Sequence, residues 1–287
     1  MIKNEGIVMS YDRKSVLRGV SFSVEGGQIY GLIGKNGAGK TTLMNIMAGL
    51  LSPKAGICTV DGENVSSDKT KPLIGYLPEI PGFHDYLSAG EYIDFLLGDK
   101  NRDRRKQLLE LVELSDNVKI KFMSRGMRQR LGIAAALVND PVAVLLDEPT
   151  SALDPAGRDD VRKILLELKK EGKAIVLSTH ILNDMENVCD EVGFLADGVI
   201  KKSLKIRDLK NDNSAMRISL SENDPNVAAM LRDAGFECSF VSQKDIRILN
   251  PENQKKLFEV LSYVDTPILG VCNEAQSLDD IFKEVCL

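Results

Sequence analysis

The chain has 287 residues, 43% hydrophobic and 28% charged, which excludes disorder as its main state and supplies enough chain for roughly two domains. Lysines and arginines number 37 against 42 acids, a net charge of −5, and this balance argues against a nucleic-acid partner, because proteins that bind nucleic acids carry a basic excess. The five cysteines are odd in number and lack a CxxC spacing, so they read as reduced thiols of a cytosolic protein, and two histidines are too few for a zinc cluster. The longest run without an ionisable group, Thr41–Pro53, is shorter than the about 20 apolar residues that a spanning helix needs. The start, MIKNEGIVMSYD, has no basic-then-apolar leader, so no secretory signal is expected.

In chain order, Val20–Val24 alternates apolar and polar residues before a Gly26-Gly27 turn, and Ile29–Ile33 is a buried apolar strand feeding a glycine-rich loop. A helix over Thr41–Leu51 follows, then strands at Ile57–Val60 and Ile74–Leu77. Ser88 and Glu91 have capping-box spacing and open a helical stretch that runs to about Asn139. Pro141 ends it, and Val142–Leu146 reads as a strand buried on both faces. Asp154-Pro155 starts a helix with the stripe Val161, Ile164, Leu165 and Leu168, stopped by Gly172. Ala174–Leu177 is another buried strand, and Asp197-Gly198 a hairpin turn.

Beyond about Asp212 the rhythm changes. The order becomes strand Met216–Leu220, helix Pro225–Ala234, strands Glu237–Val241 and Ile246–Leu249, helix Pro251–Tyr263 and strand Pro267–Val271. This β-α-β-β-α-β order is ferredoxin-like. A last helix from Ser277 shows Leu278, Ile281, Phe282 and Val285 on one face. The charge-rich Lys205–Asn213 segment is the expected boundary between two domains.

Gly34-Lys35-Asn36-Gly37-Ala38-Gly39-Lys40-Thr41 fits G-x-x-x-x-G-K-[ST] and lies between a predicted strand and a predicted helix, as a phosphate-cradling loop must. Its glycines let backbone amides converge on phosphate oxygens, and the helix N-terminus adds positive potential. Lys40 is expected at the β- and γ-phosphates and Thr41 at Mg²⁺. Val142–Leu146 ends in Asp147-Glu148, and a carboxylate at the end of a buried strand is costly unless it holds a cation or a hydrogen bond. Asp147 fits the Mg²⁺-side carboxylate and Glu148 a general base for an attacking water.

With these motifs in place, residues 1–205 resemble the ATP-binding cassette (ABC) family, motif by motif and in order. The resemblance implies that Tyr11 stacks on adenine and that the phosphate loop with Thr42 binds ATP. It implies that Tyr76-Leu77-Pro78-Glu79 is the loop that usually carries Gln and senses Mg²⁺ and water, here with the charged Glu79 as a metal ligand beside Thr41 and Asp147. Ser124-Arg125-Gly126-Met127 is similar to the family signature, acting in trans; Ser124 and Gly126 match its usual form, Arg125 and Met127 depart from it. Ser151-Ala152-Leu153-Asp154 resembles the loop between the two nucleotide sites, with Asp154 also an N-cap, and His180 the switch histidine, catalytic beside Glu148; His84 matches no family motif and reads as structural.

The fold so implied is α/β: a P-loop NTPase cassette over 1–212, with a mixed sheet, an antiparallel β subdomain and a helical subdomain at about 80–140, then a small α+β ferredoxin-like domain at 213–287. The resemblance further implies an ATPase subunit of an export-type transporter that pairs with a second cassette and a separately encoded permease on the cytoplasmic face of the membrane, the helical region around Glu79–Asn139 being the docking face. Two rival readings are a soluble ABC ATPase of translation or DNA repair and a non-hydrolysing regulatory module. The acidic charge and the single cassette without a long coiled-coil insertion argue against the first, and Glu148 and His180 against the second.

Overall fold

The computed structural model describes residues 1–12, 14–98, 101–151, 153–179, 181–211, 215–249, 253–274 and 277–286. The chain divides into two units, Met1–Leu204 with Phe282–Leu287, and Lys205–Ile281. The division falls at Lys205, the first residue of the Lys205–Asn213 segment, whose residues 212 and 213 lie outside the described residues.

The first unit opens with β1 (Ile2–Tyr11), β2 (Lys14–Val24) and β3 (Ile29–Ile33). β1 hides its alternation from the sequence. Ile2 and Asn4 are buried, a register shift at Gly6 (φ 61°) inserts a bulge, and burial resumes out of phase at Ile7 and Met9. Tyr11 is the last residue of this strand. α1 (Lys40–Met47) is shorter than the expected Thr41–Leu51 because Gly49, in the left-handed region at φ 70°, closes it. β4 (Ala55–Val60), β5 (Glu63–Asn64) and β6 (Ile74–Leu77) follow.

The helical segment contains α2 (Ala89–Leu97), α3 (Arg102–Leu111) and α4 (Arg125–Ala136). Ser88 and Glu91 form the expected capping box: the Ser88 amide donates to Glu91 Oε2 at 2.6 Å and the Glu91 amide to Ser88 Oγ at 3.2 Å. Arg105 ties the segment together, reaching Asp94 at 2.5 Å and Asp116 at 3.0 Å.

Strands and helices then alternate: β7 (Ala143–Asp147), α5 (Pro155–Lys170), β8 (Ala174–Thr179), α6 (Leu182–Val188), β9 (Glu191–Ala196) and β10 (Val199–Lys205). The central sheet runs β10-β9-β3-β8-β7-β6 and is parallel from β9 to β6. Every residue of β3, β7 and β8 is buried, as a sheet covered on both faces requires. A separate antiparallel sheet runs β2-β1-β4-β5. α1 fills the space between the two sheets, with Leu43, Met44, Ile46 and Met47 in one core with Ile7, Leu17, Leu145 and Val176. The parallel register brings the C-terminal ends of β3, β7 and β8 side by side, where open α/β sheets bind ligands.

The second unit contains α7 (Ile206–Asn211), β11 (Ala215–Leu220), α8 (Pro225–Asp233), β12 (Glu237–Phe240), β13 (Asp245–Leu249), α9 (Gln254–Leu261) and β14 (Ile268–Glu274). α10 (Leu278–Cys286) starts in this unit. The expected helix start at Pro251 lies outside the described residues. The sheet order is β12-β13-β11-β14 with every neighbouring pair antiparallel, the arrangement of a ferredoxin-like split βαβ. Ile218, Leu220, Ile246 and Ile248 pack with Val227 and Leu231 of α8 and Leu257 of α9. Arg247, between Ile246 and Ile248 and so on the opposite side of the strand, is buried in an ion pair with Asp280.

Candidate active site

The loop from Gly34 to Gly39 leaves the C-terminal end of β3 and enters α1. Two of its glycines have distinct physical causes. A Cβ on Gly34 would meet the Leu195 carbonyl oxygen at 2.5 Å, and Gly39 stands at φ 108°, a conformation L side chains rarely adopt. Lys40, the first residue of α1, folds back under the loop: its Nζ donates to the Gly34 carbonyl at 2.8 Å and lies 3.8 Å from Glu148 Oε1. At 6% exposure its charge is held among partners rather than in bulk water.

Asp147 ends β7 and is fully buried. Its Oδ1 accepts from the Ser178 hydroxyl of β8, and its Oδ2 has no hydrogen-bond partner among the described residues. A buried carboxylate oxygen left without a donor fits a hard cation, and Thr41 offers a second oxygen in the same cavity. Tyr76 on β6 feels the same charge: burial first, then the Asp147 carboxylate, pushes its phenol up to about 12, and it stays a neutral donor to Asn45 Oδ1 at 3.1 Å.

Glu148 adopts φ 52°. Left-handed backbone costs a non-glycine residue roughly 1–2 kcal/mol, and such strain collects at functional sites. Ser178 holds it there, since the Glu148 amide donates to the Ser178 carbonyl at 3.1 Å and to its Oγ at 3.0 Å. One serine thus fixes both acids. Sequence reasoning missed it; the signal lies in the register, which pairs Asp147 with Ser178 across β7 and β8.

A cavity of about 430 Å³ collects Asn36, Gly37, Gly39, Lys40, Thr41 and Thr42 with Glu79, Asp147 and Glu148. Lys35 and Ala38 line a neighbouring cavity on the flank of the loop, which they share with Asn36 and Gly37. Tyr11 is exposed at the end of β1 and is not among the residues lining either cavity. Ser124 caps α4, its Oγ accepting from the Met127 amide at 3.2 Å. Ser124 and Arg125 are exposed, Gly126 and Met127 half-buried, and none of the four lines the nucleotide cavity of its own chain. Asp154 caps α5, accepting from the Gly157 amide at 2.9 Å. His180 and Ala152 lie outside the described residues. His84 is a surface residue packed between the rings of Tyr86 and Phe95.

A phosphate-cradling loop at the end of β3, its lysine, and two buried acids at the end of β7, with β8 between the two strands, define a P-loop nucleotide-binding protein. The family model described as ABC transporter matches residues 17–151. An ABC transporter ATP-binding protein of Synechocystis is 39% identical over 214 residues, 71% of this chain and 60% of that protein. The bacitracin transport ATP-binding protein BcrA of Bacillus licheniformis is 32% identical over 297 residues, 99% of this chain and 97% of that protein. A solved dimeric, post-hydrolysis cassette bound to ADP and Pi superposes with a TM-score of 0.66 at 27% identity, covering 72% of this chain and 99% of that one. The chain belongs to the ABC transporter family as an ATP-binding subunit, an ATPase that uses ATP and Mg²⁺.

Proposed function

We propose that this subunit drives export through a separately encoded permease, working as a pair of cassettes at the cytoplasmic face of the membrane. The observation that carries the pairing is a separation. Lys40, Thr41, Asp147 and Glu148 share one cavity, while the signature residues at the start of α4 are not among those lining it. Gly126 supports the same reading. Its φ is not in the left-handed region, and a Cβ there would make only ordinary contacts, the nearest at 3.8 Å from Leu153. Its own fold does not require a glycine, whereas a second copy's phosphate approaching the helix start does. Among the described residues no helix is long and apolar enough to cross a membrane. The export direction leans on the printed name of the bacitracin transport relative.

In this reading Tyr11 stacks on the base, and the loop amides with Lys40 Nζ hold the β- and γ-phosphates. Thr41, Asp147 and Glu79 would hold Mg²⁺, which would supply neutralisation of the phosphate charge. Glu148 takes a proton from the attacking water at a carboxylate oxygen. Ser124 and Gly126 of the second copy, flanked by Arg125 and Met127, close over the γ-phosphate, and Asp154 links the two sites while His180 steadies the developing charge. The second unit packs or dimerises; its role lies outside the chemistry.

Glu148→Gln tests the assignment. ATP binding persists, turnover falls by about 10²–10⁴-fold, and a dimer accumulates with ATP on a sizing column. Unchanged phosphate release defeats the role of Glu148; a variant that stays monomeric with ATP bound defeats the pairing.

A further inference from the structure

A further cavity, of about 460 Å³, is lined from α5, β8, α6 and the loop after Glu148, and it shares no lining residue with the nucleotide cavity. Its apolar lining is Pro149, Pro155, Leu165, Leu177 and Val188. The charged lining is unbalanced. Asp159 is spent on neighbouring cations, Oδ1 accepting from Arg162 Nε at 3.0 Å and Oδ2 lying 3.2 Å from Lys163 Nζ. Arg158 is half-buried and gives only its Nε, to the Leu153 carbonyl at 3.1 Å; its two terminal nitrogens have no partner among the described residues. Thr150 lines the same cavity at 6% exposure, and its buried hydroxyl also lacks a partner among the described residues. An unpaired buried hydroxyl costs free energy that a ligand group can recover.

We propose that this cavity is a second binding site, for a small soluble organic anion with an apolar body and one carboxylate or sulfonate head. Small-molecule sites combine a mainly apolar lining with a few placed polar groups, which is the make-up found here. The apolar side chains take the body, the terminal nitrogens of Arg158 take the head in charge-assisted hydrogen bonds, and the Thr150 hydroxyl pairs with a polar atom beside it. Pro149 and Thr150 directly follow Glu148, and Leu177 directly precedes Ser178, so the site abuts the segments that carry the catalytic acids while leaving the nucleotide cavity open. Nucleotide and the organic anion therefore bind at the same time.

The experiment titrates the full chain with anilinonaphthalenesulfonate, read by fluorescence and calorimetry, beside phenylnaphthylamine, which has the same rings without the sulfonate. Both titrations are made with Mg²⁺ and a saturating non-hydrolysable ATP analogue present, so that the nucleotide cavity is filled. The sulfonate is expected to bind once per chain. Arg158→Gln weakens it about tenfold, as the loss of one partly exposed charge-assisted contact should, while Arg158→Lys stays within about threefold of wild type. Thr150→Val weakens it several-fold without lowering the urea midpoint, because in the free protein the hydroxyl has no partner to lose. The neutral probe binds wild type more weakly than the sulfonate does and does not distinguish wild type from Arg158→Gln. Equal affinity of the sulfonate for wild type and Arg158→Gln overturns the site, and so does its displacement by the ATP analogue. A neutral probe that binds wild type as tightly as the sulfonate overturns the anionic class of ligand.

Discussion

Ser178 shows how much of this site depends on one hydroxyl. It donates to Asp147 Oδ1, accepts from the Glu148 amide, and its carbonyl takes the same amide. Removing the hydroxyl leaves one acid without its buried donor and loosens the strained turn at Glu148. Ser178→Ala is therefore expected to cost about 1–3 kcal/mol in urea unfolding. It should also lower kcat more than it changes the KM for ATP, because the acid that handles water shifts while the phosphate loop does not. Ser178→Thr keeps the hydroxyl and should recover most of both; if the alanine variant hydrolyses ATP at the wild-type rate, Ser178 positions nothing.

Among the elements, α5 carries a residue with two assigned tasks. Asp154 caps the helix through the Gly157 amide, and the family resemblance adds a link between nucleotide sites. The two separate cleanly by substitution. Asp154→Ala loses the cap and about 1 kcal/mol, while Asp154→Asn keeps a capping oxygen and stays within a few tenths of wild type, both read from chemical denaturation. Cooperativity of ATP hydrolysis lost in the stable asparagine variant marks the second task; full cooperativity there reduces Asp154 to a cap. Elements also differ in how plainly the sequence announces them. The capping box at Ser88, the proline after Asp154 and the turn at Asp197-Gly198 act within a few residues, and each appears where its local chemistry places it. β1 was illegible because the bulge at Gly6 breaks the period of two that a strand otherwise shows. α6 and α7 are only one to two turns long, too short for a helical period to register.

At the scale of the whole molecule, six carboxyls among the described residues sit below their ordinary range, each held by a different partner. The Lys119 ammonium lowers Glu91, Lys173 lowers Asp140, Arg162 lowers Asp159 and Lys71 lowers Asp68, while Thr266 and Ser219 donate to Asp224 and Asp245. A depressed folded pKa means the folded state binds fewer protons than the unfolded one. The stabilisation is then fully present above the ordinary carboxylate values and drains away as pH falls through the depressed ones. Thermal unfolding is expected to change little on this account from pH 7 to about 5 and to weaken steadily below about 4. Asp140→Asn should flatten part of that acid limb; a limb identical to wild type removes the Lys173 pair from the account.

What the amino-acid order determined alone was local and chemical. Glycine spacing, a lysine and threonine at a helix start, and an apolar run ending in two acids name the phosphate loop and its partners, because each depends on neighbours in the chain. Tertiary structure decided what depends on distant segments meeting. It placed Ser178 against Asp147 across 31 residues, kept Tyr11 off the cavity lining, and left Gly126 without a packing reason in its own chain. Strand register does that work: it is set by burial over the whole sheet, and no short window of sequence contains it.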